Sequence, residues 1–266
     1  MSVLIIADLH LDLWLADGRD PFAAVDPDLL AGLDALIIAG DLSNKPKVRW
    51  PHAIRHLSRY VDPARIYLLP GNHDYYDHTL DGDDRLAAIA AAEGAQFAQK
   101  TELVVGGIRF LCCTLWTAFE LGDDAAHAQT TAIRGMNDYR YIRMSRQSYR
   151  RIWPVDTAAV HADHRQWLEG RLAMPFAGWT VVVTHHCPHP GLIGKQQEGL
   201  EPVYGSDLLC LIARFEPEAW FFGHTHHRHE AQEVRTLVRN VSLGYPQEVR
   251  AGDADAAEIL LRGLLE

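Results

Sequence analysis

VLIIADLH, residues 3–10, is an apolar run that stops on an aspartate and a histidine. Four other short apolar runs stop in a similar way. ALIIA (35–39) is followed by Gly40-Asp41, and IYLL (66–69), after Pro70, by Gly71-Asn72-His73-Asp74. VVV (181–183), after Thr184, is followed by His185-His186, and WFF (220–222) by Gly223-His224-Thr225-His226. The runs are continuous rather than alternating, the pattern of strands in a sheet covered on both faces. Helical patterns lie between them. HAIRHLSRYV (52–61) has Pro51 at its start, DRLAAIAAAEG (84–94) closes on Gly94, and HADHRQWLEGRLA (161–173) and SDLLCLIARF (206–215) repeat the spacing. Strands alternating with helices predict an α/β fold. In such sheets ligands bind outside the carboxyl ends of the strands, which is where these polar residues stand.

The rest of the chain is less regular. ELVVGGIRFLCCTLW (102–116) predicts a hairpin turning on Gly106-Gly107. Residues 117–157 read as a long polar segment with a helix over 139–151, the kind of insertion that serves as a lid. EVRTLVRN (233–240) predicts a strand, and 258–262 is compatible with helix or strand. No repeat, linker or composition break divides the chain, so the expectation is one domain over residues 1–266.

Composition excludes some functions. Lys and Arg total 25 against 35 Asp and Glu, a formal net charge of −10. That balance disfavours long nucleic acids, whose phosphates reward clustered basic side chains. It leaves nucleotides open, because bound cations invert the sign of a site. No run approaches the roughly 18 apolar residues of a membrane span, and MSVLIIADLH lacks the basic start of a signal peptide. The expected location is cytoplasmic, with no membrane partner. Cys112, Cys113, Cys187 and Cys210 are then reduced, structural thiols, the adjacent pair pointing to opposite faces of a strand.

Seven residues at the strand ends have metal-ligand chemistry: Asp8, His10, Asp41, Asn72, His185, His224 and His226. Each motif alone is commonplace, since Asp-x-His and Gly-Asp are ordinary turns and a His-His pair is usually packed. Their joint occurrence, in this order and each at the end of one of five strands, is not. A mixed set of imidazoles, carboxylates and an amide suits Mn²⁺, Fe, Zn²⁺ or Co²⁺ better than Ca²⁺. Two four-coordinate metals need eight ligand places, so one of the seven residues must be shared, and a carboxylate can bridge. Two metals about 3.5–4 Å apart form a clamp for in-line phosphoryl displacement.

The series Asp8-x-His10, Gly40-Asp41, Gly71-Asn72-His73-Asp74, His185 and Gly223-His224-x-His226 resembles the calcineurin-like metallophosphoesterase superfamily over residues 8 to 226. The resemblance implies a two-layered β sandwich flanked by helices, with a binuclear metal site at the carboxyl ends of the strands. It implies that Asp41 bridges, that Asp8, His10 and His226 complete one metal, and that Asn72, His185 and His224 complete the other. Mn²⁺ and Fe are the first expectation and Zn²⁺ or Co²⁺ the second. His73 would be the catalytic residue beside the metals, contacting the phosphate or protonating the leaving group. His185 is chosen over His186 because members with a single histidine align with the first. One departure is the segment GDLSN, which places Asn44 where many members carry an aspartate that orients the catalytic histidine. Asn44 also stands here in family phosphodiesterases.

The functional expectation is therefore hydrolysis of small-molecule phosphoesters, diesters first. Phosphomonoester hydrolysis, a non-catalytic scaffold and a nuclease taking a short oligonucleotide are the alternatives. Trp116, Asn137 and Arg140 are candidate substrate contacts, each with a competing structural role as core aromatic, helix cap or solvated arginine. Tyr75 and Tyr76 either border the pocket or pack beneath it. Cys187 reads as a small buried thiol, and His227 and His229 as rim residues.

Overall fold

The computed structural model describes residues 1–122, 124–196, 199–250 and 253–266. Two sheets pack face to face. In one, β1 (Val3–Ile6), β2 (Ala35–Ala39), β3 (Ile66–Leu69) and β4 (Gln96–Phe97) run parallel in that order, and β13 (Leu264–Leu265) pairs antiparallel with β1. In the other, β5 (Thr101–Val105) and β6 (Ile108–Cys113) form the expected hairpin. Its turn residues Gly106 and Gly107 both have positive φ, as a two-residue turn that follows strand twist requires. Beside β6 lie β9 (Thr180–Thr184), β10 (Ala219–Phe222) and β12 (Thr236–Asn240), all parallel, and β11 (Glu230–Glu233) closes the edge antiparallel to β12.

Side-chain alternation explains the continuous apolar runs. Val3, Ile5, Ile37 and Ala39 point between the sheets and meet Phe110, Cys112, Val183 and Phe221. Leu4, Ile6, Leu36 and Leu68 point the other way, onto Trp50 and Ile54 of α3 (Pro46–Leu57) and Leu86 of α4 (Asp83–Ala92). On the far side Leu111, Cys113, Val182 and Trp220 meet Leu168 of α7 (Pro154–Leu172) and Ile212 of α9 (Leu209–Phe215). Each strand therefore serves two apolar layers, and each buried Leu, Ile or Val contributes about 1.5–3 kcal/mol. The architecture is a two-layered sandwich flanked by helices. Cys112 and Cys113 fall in different layers, and all four cysteines are free thiols, Cys210 alone exposed.

Beyond β1 and β12 the two sheets are tied together. Leu243 N donates to Ala7 O at 2.8 Å and Gly244 N to Asp8 O at 3.0 Å. The loops that follow β1, β2, β3, β9 and β10 leave from this tied edge.

Several expectations are corrected. The helix placed at 52–61 starts at Pro46 and ends at Leu57, with Pro51 inside it. A proline inside a helix costs about 3 kcal/mol, but Trp50, Ile54 and Leu57 bury this helix against the sheet and outweigh that cost. No helix spans 139–151. The segment folds instead as α5 (Ala125–Gly135), α6 (Asp138–Tyr141) and a two-strand ribbon, β7 (Arg143–Met144) with β8 (Arg150–Arg151). Ser148 and Tyr149 adopt left-handed φ of 53° and 57°, which turns the chain back, and Ile152 N donates to Ile142 O at 3.2 Å. The strand expected over 233–240 is split by a turn at Val234, φ 55°. Residues 258–261 belong to α10 (Asp253–Leu261), which leads into β13. Among the described residues no helix is long and apolar enough to cross a membrane.

Candidate metal centre

The five loops bring all seven expected residues to one place. His226 Nε2 lies 3.3 Å from Asp8 Oδ1, and His10 Nε2 lies 3.8 Å from Asp41 Oδ2. His185 Nε2 lies 3.5 Å from Asp41 Oδ1 and 3.0 Å from Asn72 Oδ1. Donor atoms of Asp8, His10 and His226 fall within 4.8 Å of one another, as do those of Asp41, His185 and His224. Asp41 turns one oxygen toward His10 and the other toward His185. A third grouping, His10, Asp41 and His73, meets the same limit.

The loops reach this geometry through strained backbone. Asp8, His10, Asp41, His224 and His226 have φ of 52°, 41°, 59°, 65° and 54°. The left-handed region costs an L-residue roughly 1–2 kcal/mol, and residues held there cluster at functional sites. Glycines precede two of these residues for want of space. A Cβ on Gly40 would overlap the His185 ring, and one on Gly223 would strike Ala7 and the Asp8 carboxylate.

The electrostatics suit a cation. Asp8 Oδ1, both ring nitrogens of His10, and His224 Nε2 are buried without hydrogen-bond partners. An unsatisfied buried polar atom costs about 1–3 kcal/mol, and metals bound at the two groupings would give Asp8, His10 and His224 a partner for one atom each. Burial, then the rings of His73 and His226, pushes His10 well below the usual 6.5. Burial, then His186 and His185, does the same to His224. Both rings are therefore neutral, the form that ligates metals. Burial opposes ionisation of Asp8, but His226, His185 and His10 hold it well below the carboxylate range. Burial and the neighbouring Asp8 and Asp74 push Asp41 up, so the site lacks a positive charge that divalent ions would supply. The residues fit the metals that the sequence implies.

Supporting residues whose partners the sequence reading did not identify hold these groups in place. Asp138 Oδ1 accepts from Asn72 Nδ2 at 2.9 Å and from Tyr76 OH at 2.6 Å, which turns Asn72 Oδ1 toward His185. Glu248 Oε2 lies 2.7 Å from His226 Nδ1. Burial works against charge on His226, but Asp8 and Glu248 outweigh it and push its pKa up to about 9. Ser242 Oγ donates to Asp8 Oδ2 at 2.6 Å. His185 Nδ1 lies 3.0 Å from Ala39 O, which leaves Nε2 for a ligand. Asp74 and the pair Asn137-Asp138 were legible as polar residues of the loops, but their partners were not.

The cleft above these groups has a volume of about 510 Å³ and is lined by His73, Tyr76, Met136, Asn137, Gln196, Tyr204, Tyr245 and His227, among others. His73 Nδ1 lies 3.0 Å from Asn44 Oδ1, and its backbone N–H donates to Asp41 Oδ1 at 2.9 Å. Asn137 stands in the cleft. Arg140 does not: its guanidinium donates to Arg134 O at 2.8 Å outside it. Trp116 is also outside, fully buried and packed 5.0 Å from the His186 ring. His186 in turn lies behind His224, rings 4.2 Å apart, with Nδ1 3.3 Å from Thr114 O. Tyr75 is buried with its hydroxyl on Asp83, and the Cys187 thiol donates to His189 O at 3.2 Å. His229 is exposed and His227 borders the cleft.

A helix-flanked sandwich that gathers imidazoles, carboxylates and an amide at its strand ends defines a metal-dependent hydrolase site of the phosphoester type. The chain matches the family model of calcineurin-like phosphoesterases over residues 1–228 and belongs to that family. By class it is a phosphoric ester hydrolase. In fold it is similar to the phosphopantetheinyl hydrolase from Mycobacterium tuberculosis, at 18% identity and a TM-score of 0.70, over 93% of this chain and 90% of that one. It is also similar to a putative 5′-nucleotidase from Staphylococcus aureus in complex with alpha-ketoglutarate, at 13% identity and a TM-score of 0.50. That match covers 90% of this chain and 48% of the nucleotidase, about half its length. No curated protein matches the chain in sequence.

Proposed function

We propose that the protein hydrolyses small-molecule phosphodiesters with two divalent metals. Asp8, His10 and His226 hold one, Asn72, His185 and His224 hold the other, and Asp41 is shared. The observation that carries this reading is the placement of Asp41, with one oxygen facing each histidine group. Mn²⁺ or Fe suits the mixed donor set first, Zn²⁺ or Co²⁺ second. When bound, the metals supply Lewis acidity and bring a water-derived nucleophile within reach of neutral pH.

The chain's own residues do the rest. Asp138 and Glu248 aim Asn72 and His226. His73, with Nδ1 taken by Asn44, turns Nε2 toward the phosphoryl group. Burial, then His185, holds His73 down at about 3, so the ring is neutral before substrate arrives. The anionic phosphoryl group favours its protonation, and the imidazolium then donates through Nε2 to a phosphoryl or leaving oxygen. Asn44, which lends no negative charge to this ring, supports diester over monoester cleavage. Asn137, Tyr76, Tyr204 and Tyr245 shape the cleft around the ester groups. Residues 1–266 act as one domain, and the three buried free thiols suit a reducing, cytoplasmic setting.

The test compares an aryl phosphodiester with the matching aryl phosphomonoester on Mn²⁺-loaded protein, alongside metal content. Faster diester turnover with about two metals per chain is expected. Faster monoester turnover would overturn the diester preference, and one metal per chain would overturn the shared role of Asp41.

A further inference from the structure

A second concentration of charge lies beside the cleft. Between residues 134 and 151 stand Arg134, Arg140, Arg143, Arg146, Arg150 and Arg151, with a single acidic residue, the buried Asp138. This excess occurs in a chain whose formal net charge is −10. The β7–β8 ribbon sets Arg143 directly opposite Arg151. Like charges facing each other across an antiparallel pair destabilise it, so this pairing does not stabilise the ribbon. Among the described residues only Arg150 of the six has a carboxylate partner, Asp156 at 2.7 Å. Arg140 and Arg143 reach the carbonyls of Arg134 and Tyr149, which leaves their charge uncompensated.

Arg140, Arg143, Arg150 and Arg151 line a groove of about 470 Å³ together with Trp153, and among the described residues no acidic side chain lines it. Trp153 is 54% exposed and Tyr149 53%. The Arg143 guanidinium lies 5.7 Å from the Tyr149 ring centre. The groove adjoins the cleft through α6: Arg140 Nη1 is 3.5 Å from Oδ1 of Asn137, which lines the cleft.

We propose that this groove binds a short single-stranded oligonucleotide, with guanidiniums on backbone phosphates and the exposed Trp153 ring stacked on a base, Tyr149 standing outside the lining with its ring beside Arg143. Arginine beside a free aromatic face is the recognition chemistry of unpaired nucleotides. A duplex hides its base faces, and a long polyanion meets the repulsion of the remaining acidic surface. The binding claim stands on the groove alone. Only cleavage of the bound strand rests on the diesterase reading.

The experiment measures anisotropy of a labelled phosphorothioate oligothymidylate of about twelve nucleotides, which keeps its charge and resists hydrolysis, on the metal-loaded full chain. Each phosphate contact contributes about −0.7 to the slope of log affinity against log salt for single strands. Removing Arg143 and Arg151 together (R143A/R151A) should therefore flatten the slope by about 1.4 and weaken binding. Trp153→Ala should weaken binding about fivefold or more with the slope unchanged. Arg235→Ala, at a distant surface ion pair with Glu216, should change neither. Absence of salt-dependent binding, or wild-type slope in R143A/R151A, would overturn the proposal. So would equal competition by an oligoglutamate of the same charge, which would assign the groove to acidic polypeptides. Binding of the phosphorothioate without cleavage of the ordinary oligonucleotide would uphold the groove and count against the diesterase reading for this substrate. Aryl diester turnover without oligonucleotide binding would do the reverse.

Discussion

Asp74 accepts the backbone N–H of Asp41 at 2.8 Å, and the same carboxylate oxygen accepts Gly71 N at 2.8 Å. Its other oxygen takes Trp50 Nε1 at 2.8 Å and Ser43 N at 3.2 Å. One buried side chain thus clamps the loop that carries Asp41 to the loop that carries Asn72. Asp74→Ala leaves several buried donors unpaired, at about 1–3 kcal/mol each. A loss of at least about 2 kcal/mol in urea denaturation, with lowered metal content, is expected. Wild-type stability in this variant would contradict the clamp.

Asp41 faces both histidine groups, so Asp41→Asn should deplete both metals together. Metal analysis of the purified variant decides this. Loss of one metal with the second retained at wild-type affinity would show that the carboxylate is not shared.

His73→Ala should keep both metals while turnover falls roughly 10²–10⁴-fold, the usual contribution of a positioned proton-transfer group. The paired measurement matters, because a depleted metal content would instead make His73 a ligand, as its proximity to His10 and Asp41 allows.

Glu248 acts through His226 Nδ1. Outer partners of ligating histidines typically affect metal affinity about 10–100-fold, so Glu248→Gln should weaken one metal by that order. Metal titration monitored by calorimetry should show one weakened class of site and one unaffected class. Two unaffected classes would remove Glu248 from the site.

His164 supplies a pH dependence remote from the metals. Its Nδ1 accepts Leu115 N at 3.1 Å, and burial pushes its pKa down to about 3. In the unfolded chain the ring titrates near about 6.5. Above that value it is neutral in both states and its contribution is intact. As pH falls toward about 3 the unfolded chain binds a proton that the folded chain does not, and stability falls by up to about 1.4 kcal/mol per unit. His164→Gln should therefore lose less stability than wild type between pH 7 and pH 5.5 in urea denaturation. Equal losses would show that His164 is protonated as readily in the folded protein.

The strand-end residues were legible because their signal is local. A continuous apolar run marks a strand buried on both faces, and the polar residue that ends it must lie at the sheet's edge. In the structure His185 Nε2 lies 3.0 Å from Asn72 Oδ1, and His186 lies behind His224. Trp116 and Arg140 could not be placed from the sequence, since a buried aromatic and a pocket aromatic share one local pattern. The helix expected at 139–151 failed for a similar reason. Arg143 and Met144 pair with Arg151 and Arg150 across a turn rather than lying along one helical face.

By itself the sequence determined the covered sheets, the donor residue types at the strand ends and their order along the chain, because hydrophobic periodicity and donor chemistry are properties of neighbouring residues. Only the tertiary structure decided which side chains support them. Asn72 and Asp138 are 66 residues apart, and His226 and Glu248 are 22 apart. The ribbon that opposes Arg143 to Arg151 likewise depends on a turn between them. Hydrogen bonds and charge repulsion act over a few ångströms through space, and spacing along the chain carries no record of which distant residues folding brings within that range.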